Sequence, residues 1–488
     1  MSYIQLAIAA YTLGKFIYHR YKEETTTRTT RERIDLPRLG EGSPIPMFWG
    51  RCRVKAPLIV WHGNAIAPND AVNPDVFNYR IDILFVIGIP FQSGDTRLQG
   101  IFIDDRRGQT SPNNLSTNFA PAVFPYVELD ADPVGSPQRR QPTFTKVFYE
   151  FGGGSSTQSL IAGAGSLVAS RMVDSGIDSG DIPGYRGYAV IYTQVHRVES
   201  KLPALSFEIS SYPSPLLLSY PQIGLEANPA DVIYDLITGK FAKLGLPTTM
   251  IDVPTFQAAA ITLYEEVHGY SRMIDDGREA GDIIEEILRQ IDGVLYEDPV
   301  TGTVKIKLIR PDFDFPSLPK INPANCVGLA GFAAGGWTSV INKVRIVFPN
   351  RDINYLEGSA TAHNQANAVG QDGETRESVI QMPGVCTQAL ADALAARELA
   401  ALSRPISKFT ATVDRAFWWI YPGAPVVASW PEYNINGMVC RVASVRKGAA
   451  DSNTMELDLI QDFAYVYRNA VHGGEQVAPF PGSGGALA

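Results

Sequence analysis

The residue types that most often carry chemistry are scattered along this 488-residue chain. Six histidines show no HxH, HExxH or other paired spacing. They are His19, His62, His196, His268, His363 and His472. Metal sites built from imidazoles use short, regular spacings, so these residues do not predict one. The four cysteines are equally far apart and contain no CxxC pair, which favours buried thiols over a disulfide framework or a zinc site. They are Cys52, Cys326, Cys386 and Cys440.

Carboxylates and glycines give no stronger signal. Asp174, Asp178 and Asp181 could gather calcium, but their spacing misses the EF-hand pattern and favours a solvated loop. The pairs Glu265–Glu266 and Glu285–Glu286 lie on predicted helices, where a solvated face is the usual explanation. The glycine runs at 152–156 and 163–166 match neither a phosphate-binding loop nor a nucleophile elbow. The sequence therefore predicts no catalytic, metal-binding or cofactor-binding residue, and a protein that is not an enzyme.

Composition limits the class of partner. The length predicts roughly three domains. The 43 glycines and 34 prolines indicate many turns and a β-dominated protein. A net charge of −9 argues against a basic face that grips DNA or an anionic membrane. The same charge suits the lining of a conduit through which DNA passes without sticking.

Strand patterns dominate residues 39–225. Tyr188–Val195 and Leu205–Ile209 are predicted to be a pair of adjacent strands, the second half-buried because apolar and polar residues alternate. Further strands are predicted at Pro46–Val54, Leu58–Trp61, Ile81–Ile89 and Leu98–Asp104. Ser111–Gly154 is predicted to be a loop excursion, followed by a helix-permissive stretch at Ser155–Met172. Near the N-terminus, Tyr3–Leu13 is too short to span a bilayer and favours a helix packed on a neighbour.

From Asn228 the pattern changes to mixed helix and strand. Asn228–Pro229 predicts a helix start, with one apolar face continuing to Leu244 and an end at Gly245. Asp276 and Glu279 resemble a capping box before a second helix. The apolar stripe of that helix is Ile283, Ile284, Ile287, Leu288 and Ile291. Val294–Glu297 and Thr303–Ile309 then predict a β-hairpin.

The C-terminal part returns to strands. Ser339–Phe348 predicts a strand that ends near Pro349, because proline cannot donate to a ladder. Gln388–Leu402 predicts an alanine-rich helix whose leucines mark no single buried face. The remaining predicted strands are Lys408–Val413, Ala424–Trp430, Met438–Val445 and Thr454–Leu459. The last residues, 470–488, predict a flexible glycine-rich tail.

Several motifs, in order, resemble one family. Gly42, Pro44, Ile45, Pro46, Trp49, Gly50, Arg53, Val54 and Ile59–Trp61 form the first. Pro183, Tyr185–Gly187, Pro203 and Leu205–Glu208 form the second. Asn228–Ala230, Asp235–Leu236, Asp252, Phe256, Ala260, Gly293, Leu295, Gly302 and Val304 form the third. Asn342–Ile346 and Tyr421–Val426 form the last, with Ala424 where the family usually has aspartate. These strings resemble the tail tip (baseplate) hub proteins of siphophage-like bacteriophages and gene transfer agents.

The resemblance covers about Leu39–Tyr465 and implies both fold and function. It implies an α+β, β-dominated fold with two β-barrel-like hub domains and intervening α+β domains. It implies a homotrimer in the virion tail tip, assembled in the host bacterial cytoplasm, that adapts the sixfold tail tube to a threefold tip and forms part of the DNA channel. The implied partners are the distal tail protein, the tape measure protein, other tip proteins and a central fibre. Genomic DNA would pass without sequence-specific binding, and contact with the host envelope would be indirect.

Five segments are predicted from these patterns. They are an N-terminal helix and connector (1–34), a β-rich hub domain with a loop and helical insertion (35–225), an α+β module (226–325), a second β-barrel-like hub domain (326–469) and the C-terminal tail (470–488).

Two other classes of protein remain open. A receptor- or glycan-binding tail module would expose aromatic residues. Trp418, Trp419 and Trp430 could form a sugar platform, although in a β-domain such residues more often belong to the core or a subunit interface. A β-rich carbohydrate-degrading enzyme would need two carboxylates across a cleft, which a sequence cannot display.

Overall fold

The computed structural model describes residues 44–55, 57–66, 79–89, 94–103, 106–107, 143–151, 167–179, 182, 185, 188–198, 204–216, 220–239, 243–333, 335–337, 340–371, 373–433, 435–448 and 452–462. The predicted N-terminal helix and C-terminal tail lie outside these residues. The described residues form two compact units. The N-terminal unit comprises those up to 228 together with 269–278, and the C-terminal unit comprises 229–268 and those from 279 onward.

The N-terminal unit consists of short strands and one helix. Its strands are β1 (Met47–Val54), β2 (Leu58–Ile66), β3 (Tyr79–Gly88), β4 (Gly94–Ile103), β5 (Arg106–Arg107), β6 (Thr143–Phe151), β7 (Ala189–Val198), β8 (Leu205–Pro213), β9 (Gln222–Ile223), β10 (Glu226–Ala227) and β11 (Arg272–Ile274). Helix α1 is Leu167–Asp174.

Two sheets enclose the core of this unit. A five-stranded sheet has the order β11-β1-β8-β4-β5, and a four-stranded sheet has the order β2-β3-β7-β6. Inward-facing residues from both sheets form one cluster, which includes Phe85 and Phe207 with ring centroids 5.2 Å apart. On its outer face the four-stranded sheet is covered by α1, whose Val168 and Met172 pack with Trp61. Burial of both sheet faces explains the long apolar run in β3.

The predicted pairing of Tyr188–Val195 with Leu205–Ile209 is wrong. Strand β7 pairs with β3 and β6, whereas β8 pairs with β1 and β4, so the two strands belong to different sheets. A strand pattern fixes which residues face inward but carries no information on which partner a strand takes. The prediction of a half-buried second strand is also wrong, because every residue of β8 is buried.

A strand also lies in the segment predicted to be a loop excursion. Strand β6 occupies Thr143–Phe151 and pairs with β7. The described part of the helix-permissive stretch that follows contributes α1, at Leu167–Asp174. Several of the other predicted strands differ in length at their ends, since boundaries depend on pairing partners rather than on local composition.

The C-terminal unit contains the remaining elements. Its helices are α2 (Pro229–Thr238), α3 (Val253–Glu265), α4 (Ala280–Ile291), α5 (Gln365–Gly370) and α6 (Gln388–Leu402). Its strands are β12 (Gly293–Glu297), β13 (Val304–Leu308), β14 (Lys320–Ile321), β15 (Cys326–Ala333), β16 (Lys343–Asn350), β17 (Leu356–His363), β18 (Glu377–Gln381), β19 (Lys408–Asp414), β20 (Pro425–Trp430), β21 (Ile435–Arg446) and β22 (Thr454–Gln461).

Helices α2, α3 and α4 pack with the β12–β13 hairpin. The predicted hairpin and the five-residue apolar stripe of α4 are confirmed. The prediction that the first helix runs to Gly245 is wrong, because α2 ends at Thr238 and the chain folds back, with Lys243 paired to Asp235 at 2.6 Å. The predicted capping box is also wrong. Glu279 occupies the N-cap position without a side-chain cap bond.

A six-stranded sheet forms a half-barrel, called the barrel below. Its order is β14-β20-β21-β22-β19-β15, so β14 and β15 stand at opposite edges. Only residues 322–325 connect these two strands. Because the five steps from Ile321 to Cys326 span at most about 18 Å, less than the width of about 24 Å of a flat six-stranded sheet, the sheet must curl. Its interior is filled by apolar residues, among them Phe409, Val426, Cys440 and Leu457.

A three-stranded sheet with the order β17-β16-β18 is covered on one face by α6. The predicted bounds of α6 are confirmed, and its alanines explain the absent leucine stripe, since Ala391 and Ala395 are as buried as Leu394. Strand β16 runs through Pro349, which lies beyond the part of β16 that pairs with β18.

The predicted β-dominated α+β fold is confirmed. None of the described helices has the length and apolar composition needed to cross a membrane. The five predicted segment boundaries stay predictions.

Candidate functional site

The first two family motifs meet on paired strands. Strand β1, which carries the first motif, lies antiparallel to β8, which carries the end of the second, with Arg53 opposite Glu208 and Val54 opposite Phe207. Their apolar residues face the core shared by the two sheets. Their polar residues face the opposite side, where they are also largely buried. The motifs thus encode one structural feature.

Strand β1 changes partner at Gly50. Residues 47–49 pair with β11, and residues 50–54 pair with β8. Gly50 has φ +66°, and a Cβ at this position would lie 2.2 Å from Ser271 Oγ and 2.6 Å from the Tyr270 carbonyl oxygen. The backbone N–H of Arg51 donates to the Leu225 carbonyl at 3.1 Å. Glycine is required here for both conformation and space.

Polar side chains form a ladder across the outer face of the five-stranded sheet. We call Arg51, Arg53, Gln99, Ser206, Glu208 and Ser210 the polar ladder. Arg51 donates two hydrogen bonds to Glu208, at 2.9 and 3.0 Å. Arg53 donates to Ser206 Oγ at 2.9 and 2.7 Å, and its guanidinium lies 4.0 Å from the centroid of the Phe102 ring.

The ladder extends to β4 through Gln99, which donates to Ser210 Oγ at 2.8 Å. Only 4% of the Glu208 side chain is exposed, compared with 17% for Arg51. A buried carboxylate is tolerated when charge-assisted hydrogen bonds satisfy it, so the ladder fixes the register of three neighbouring strands. Its chemistry is structural, because these groups pair with one another.

Two contacts join the hairpin of the C-terminal unit to the last family motif. The rings of Tyr296 in β12 and Tyr421 before β20 are stacked, with centroids 4.3 Å apart and planes 8° apart. A Cβ on Gly423, which has φ +87°, would lie 3.3 Å from Val294. Burial and the neighbouring Tyr421 raise the pKa of the Tyr296 phenol far above its ordinary value. The tyrosines and the glycine therefore lock the hairpin to the barrel.

An arginine also links the β12–β13 hairpin to the barrel. Arg441 of β21 pairs with Asp462 at 2.7 Å and donates to the carbonyl oxygens of Gly423 and Arg310, at 3.1 and 2.8 Å. Its guanidinium lies 5.0 Å from the Phe313 ring centroid. One buried cation thus bridges the barrel and the chain that leaves the hairpin.

A charged junction connects α3, α4 and α6. Arg310, after β13, donates two 2.7 Å hydrogen bonds to Glu266 at the end of α3. Arg397 of α6 lies 3.2 Å from Asp292, the left-handed residue that ends α4, and donates to the Gln290 carbonyl at 2.9 Å. Glu266 was predicted to lie on a solvated face, but it is half-buried and paired.

Exposed apolar side chains are concentrated on strand and turn surfaces. Strand β15 is one of the two edges of the barrel sheet among the described residues. It carries no charged side chain and exposes 71% of Val327. Phe332 in the same strand stacks with Tyr433, with centroids 6.3 Å apart. Uncharged edge strands readily pair with another chain.

The tryptophans divide between core and surface. Trp430 is buried in the barrel core, whereas Trp418 and Trp419 expose 50% and 40% of their surface in the turn after β19. The predicted burial of all four cysteines as thiols is confirmed. Asp174 and Asp178 are exposed, while Asp181 lies outside the described residues.

Sequence reasoning missed the partners in these networks. The motifs included Arg53 and Glu208 but gave no reason to add Arg51. Arg310 and Arg397 went unnoticed, and His268 was considered only as a metal ligand. The polar positions of β8, Ser206 and Glu208, were visible as an alternating pattern, but that pattern predicted an exposed face and gave no sign of the ladder. For the charged junction no local signal exists, since Arg397 and Asp292 are more than a hundred positions apart.

Comparisons with known proteins agree with the motif resemblance. Residues 279–445 match the model of a family described as putative phage tail protein. No curated protein sequence matches the chain. A solved chain from the virion of a native gene transfer agent particle is 13% identical, with 96% of this chain and 95% of that chain covered and a TM-score of 0.56.

Two crystal structures of tail proteins align more loosely. One is the 43 kDa tail protein of prophage MuSo2 from Shewanella oneidensis, with 10% identity, 86% of this chain and 98% of that chain covered, and a TM-score of 0.29. The other is the tail protein from Neisseria meningitidis MC58, with 10% identity, coverage of 87% and 97%, and a TM-score of 0.32. The chain is thus similar to phage tail proteins in the sequence of residues 279–445, and it shares its fold with a gene transfer agent virion protein.

Proposed function

We propose that this protein is a structural component of a phage or gene transfer agent tail, and specifically the trimeric hub of the tail tip. The observation that carries the proposal is the fold shared with a gene transfer agent virion chain over nearly the full length of both. The match of residues 279–445 to a phage tail family supports it independently of fold. In this role the protein works through interfaces and is not an enzyme.

The hub would adapt the sixfold tail tube and distal tail ring to a threefold tip. Its partners would be further copies of itself, the distal tail protein, the tape measure protein, other tip proteins and a central fibre. It would lie in the virion tail tip after assembly in the host bacterial cytoplasm, around a channel that passes DNA. The acidic charge of −9 supports a channel that does not retain DNA.

The edge of β15 supports a subunit contact. Most of this strand is exposed and it carries no charge, the two properties that permit pairing with a second chain. Internal rigidity supports the same role, because buried ion pairs and stacked tyrosines fix the described surfaces in each unit.

The experiment is solution mass measurement and particle imaging of the full chain, alone and with the distal tail protein. We expect a trimeric ring with an axial hole. Val327→Lys in β15 should weaken it, while Val300→Lys, at a site 64% exposed in the hairpin turn, serves as the matched control. A monomer in both samples, or equal assembly by the two variants, would contradict the proposal.

One observation favours a second candidate, a receptor- or glycan-binding tail module. Adjacent exposed tryptophans such as Trp418 and Trp419 are typical of sugar-binding platforms. Binding of the labelled protein to host cells, lost in Trp418→Ala and Trp419→Ala but kept in Val327→Lys, would support this candidate.

A further inference from the structure

One buried histidine stands at a turning point of the chain. His268 is the last residue of the C-terminal unit before the chain passes into residues 269–278. Only 4% of its surface is exposed. Its backbone N–H donates to the Leu263 carbonyl at 2.9 Å, which closes the turn after α3. In the same turn Val267 has φ +55°, a conformation that β-branched residues rarely adopt.

Three charged groups on other elements of the unit act electrostatically on this imidazole. Arg310 lies on the segment after β13, and Asp292 lies at the end of α4. Arg397, the third group, belongs to α6. The two remaining carboxylates of the junction, Glu266 and Glu398, already pair with Arg310 and Arg397 respectively.

The balance of these charges opposes a proton on the imidazole. The Nε2 atom of His268 has no hydrogen-bond partner within the described part of the chain. Burial lowers the pKa of His268 well below its ordinary value, and the neighbouring Arg397 and Arg310 lower it further, while Asp292 opposes them. Asp292 is itself held by Arg397 at 3.2 Å. A protonated imidazole would therefore add a third cation, fully buried, to two half-buried arginines that are already paired.

We propose that His268 is a pH-sensitive switch for the charged junction of α3, α4 and α6. In the neutral form the imidazole packs inside the junction. In mild acid its protonated form requires water or a carboxylate, so the junction opens locally and the turn at Val267 loses its restraint. This inference does not depend on the tail assignment.

The direction of the pH dependence follows from the linkage between proton binding and closure of the junction. A histidine whose folded pKa lies below its unfolded value binds more protons in the open state. Closure is then most favourable above the unfolded pKa of about 6.5 and is lost as pH falls through that value towards the folded pKa. Each unit by which folding lowers the pKa permits up to about a tenfold increase in the open population.

Hydrogen exchange of the full chain, followed by mass spectrometry at pH 7.5 and pH 5.0 and corrected for intrinsic rates, measures this opening. We expect exchange at least about tenfold faster at pH 5.0 in peptides covering 263–268, 288–292 and 395–398. His268→Phe keeps a buried ring that cannot titrate and should abolish the difference. The matched control is His363→Gln, at an exposed histidine of the same unit, which should keep it.

The proposal would be overturned if exchange at pH 5.0 were accelerated equally in the wild type and in His268→Phe. It would also be overturned if exchange in the wild type were not accelerated at pH 5.0. A second measurement needs no variant. Exchange of the imidazole C2 hydrogen across pH reports the pKa of His268 directly in the wild-type chain. A midpoint at or above 6.5 overturns the switch even where His268→Phe fails to fold, and a midpoint clearly below 6.5 together with the wild-type opening supports it.

Discussion

The Arg51–Glu208 pair in the polar ladder makes a quantitative prediction about the N-terminal unit. Glu208 is 4% exposed and Arg51 is 17% exposed at the side chain, so both charges are largely withdrawn from water. Removing one partner of a buried pair costs about 3–5 kcal/mol, because the remaining charge stays buried and loses its paired opposite charge. Glu208→Ala leaves the more accessible Arg51, which places its cost at the lower end, about 3 kcal/mol.

Arg51→Met should lower the free energy of unfolding more than Glu208→Ala does, because it leaves the carboxylate, which is the better buried of the two charges. The double variant removes both charges, and its cost should fall short of the sum of the single costs by about 2 kcal/mol. Glu208→Gln keeps an acceptor of similar shape and should cost about 1–2 kcal/mol. The assay is urea-dependent hydrogen exchange of β1 and β8 amides in the full chain, which reports the unfolding free energy of this unit.

The control is Glu374→Ala. Glu374 accepts a hydrogen bond from Arg376 at 2.8 Å, but 62% of its side chain is exposed. Exposed pairs contribute about 0–1 kcal/mol, so this change should leave the stability of its own unit nearly constant. Additive costs for Arg51→Met and Glu208→Ala, or a cost of Glu208→Ala no larger than that of the control, would refute the role assigned to the ladder.

Three further predictions concern conformation and burial. Gly50→Ala should destabilise the N-terminal unit by more than about 2 kcal/mol in the same assay, because its Cβ meets Ser271. Gly277 also has a positive φ, +70°, but a Cβ added there would meet nothing within 4 Å. Gly277→Ala should therefore destabilise the unit by only about 1–2 kcal/mol. Val267→Gly should raise the midpoint of urea unfolding, gaining about 0.5–1 kcal/mol, because glycine accepts the left-handed conformation; a loss would contradict the strain argument. Burial raises the pKa of the Cys440 thiol to about 12; it should stay unreactive to a thiol reagent at pH 8 until the barrel unfolds, and rapid native labelling would contradict this.

Local elements were predictable because their information is local. The stripe from Ile283 to Ile291 defines a helix face within four turns, and the β12–β13 hairpin is closed by the turn at Gly302. The end of α2 was not predictable from its apolar period, since the fold-back after Thr238 depends on a pair between Lys243 and Asp235. The spacing of apolar residues identifies the buried face of a helix but does not show where the helix ends.

The sites were harder to predict than the elements. Alternation in β8 suggested that Glu208 faces water. Its hydrogen bonds to Arg51, which lies 157 positions earlier in the sequence, allow it to be buried. The same limit applies to His268, whose charged neighbours come from two separate helices and the segment after one strand. Side chains that meet through tertiary packing leave no spacing for a motif to record.

The pairing of β1 with β11 has a consequence for synthesis. Met47 lies opposite Ile274, so the first strand of the N-terminal sheet cannot gain this neighbour until more than two hundred further residues have been made. At translation rates of about 5–20 residues per second, that delay is roughly 10–45 s. During this interval one edge of β1 stays open to other nascent chains. Chaperone binding, or a low concentration of nascent chains, should therefore raise the yield of folded protein.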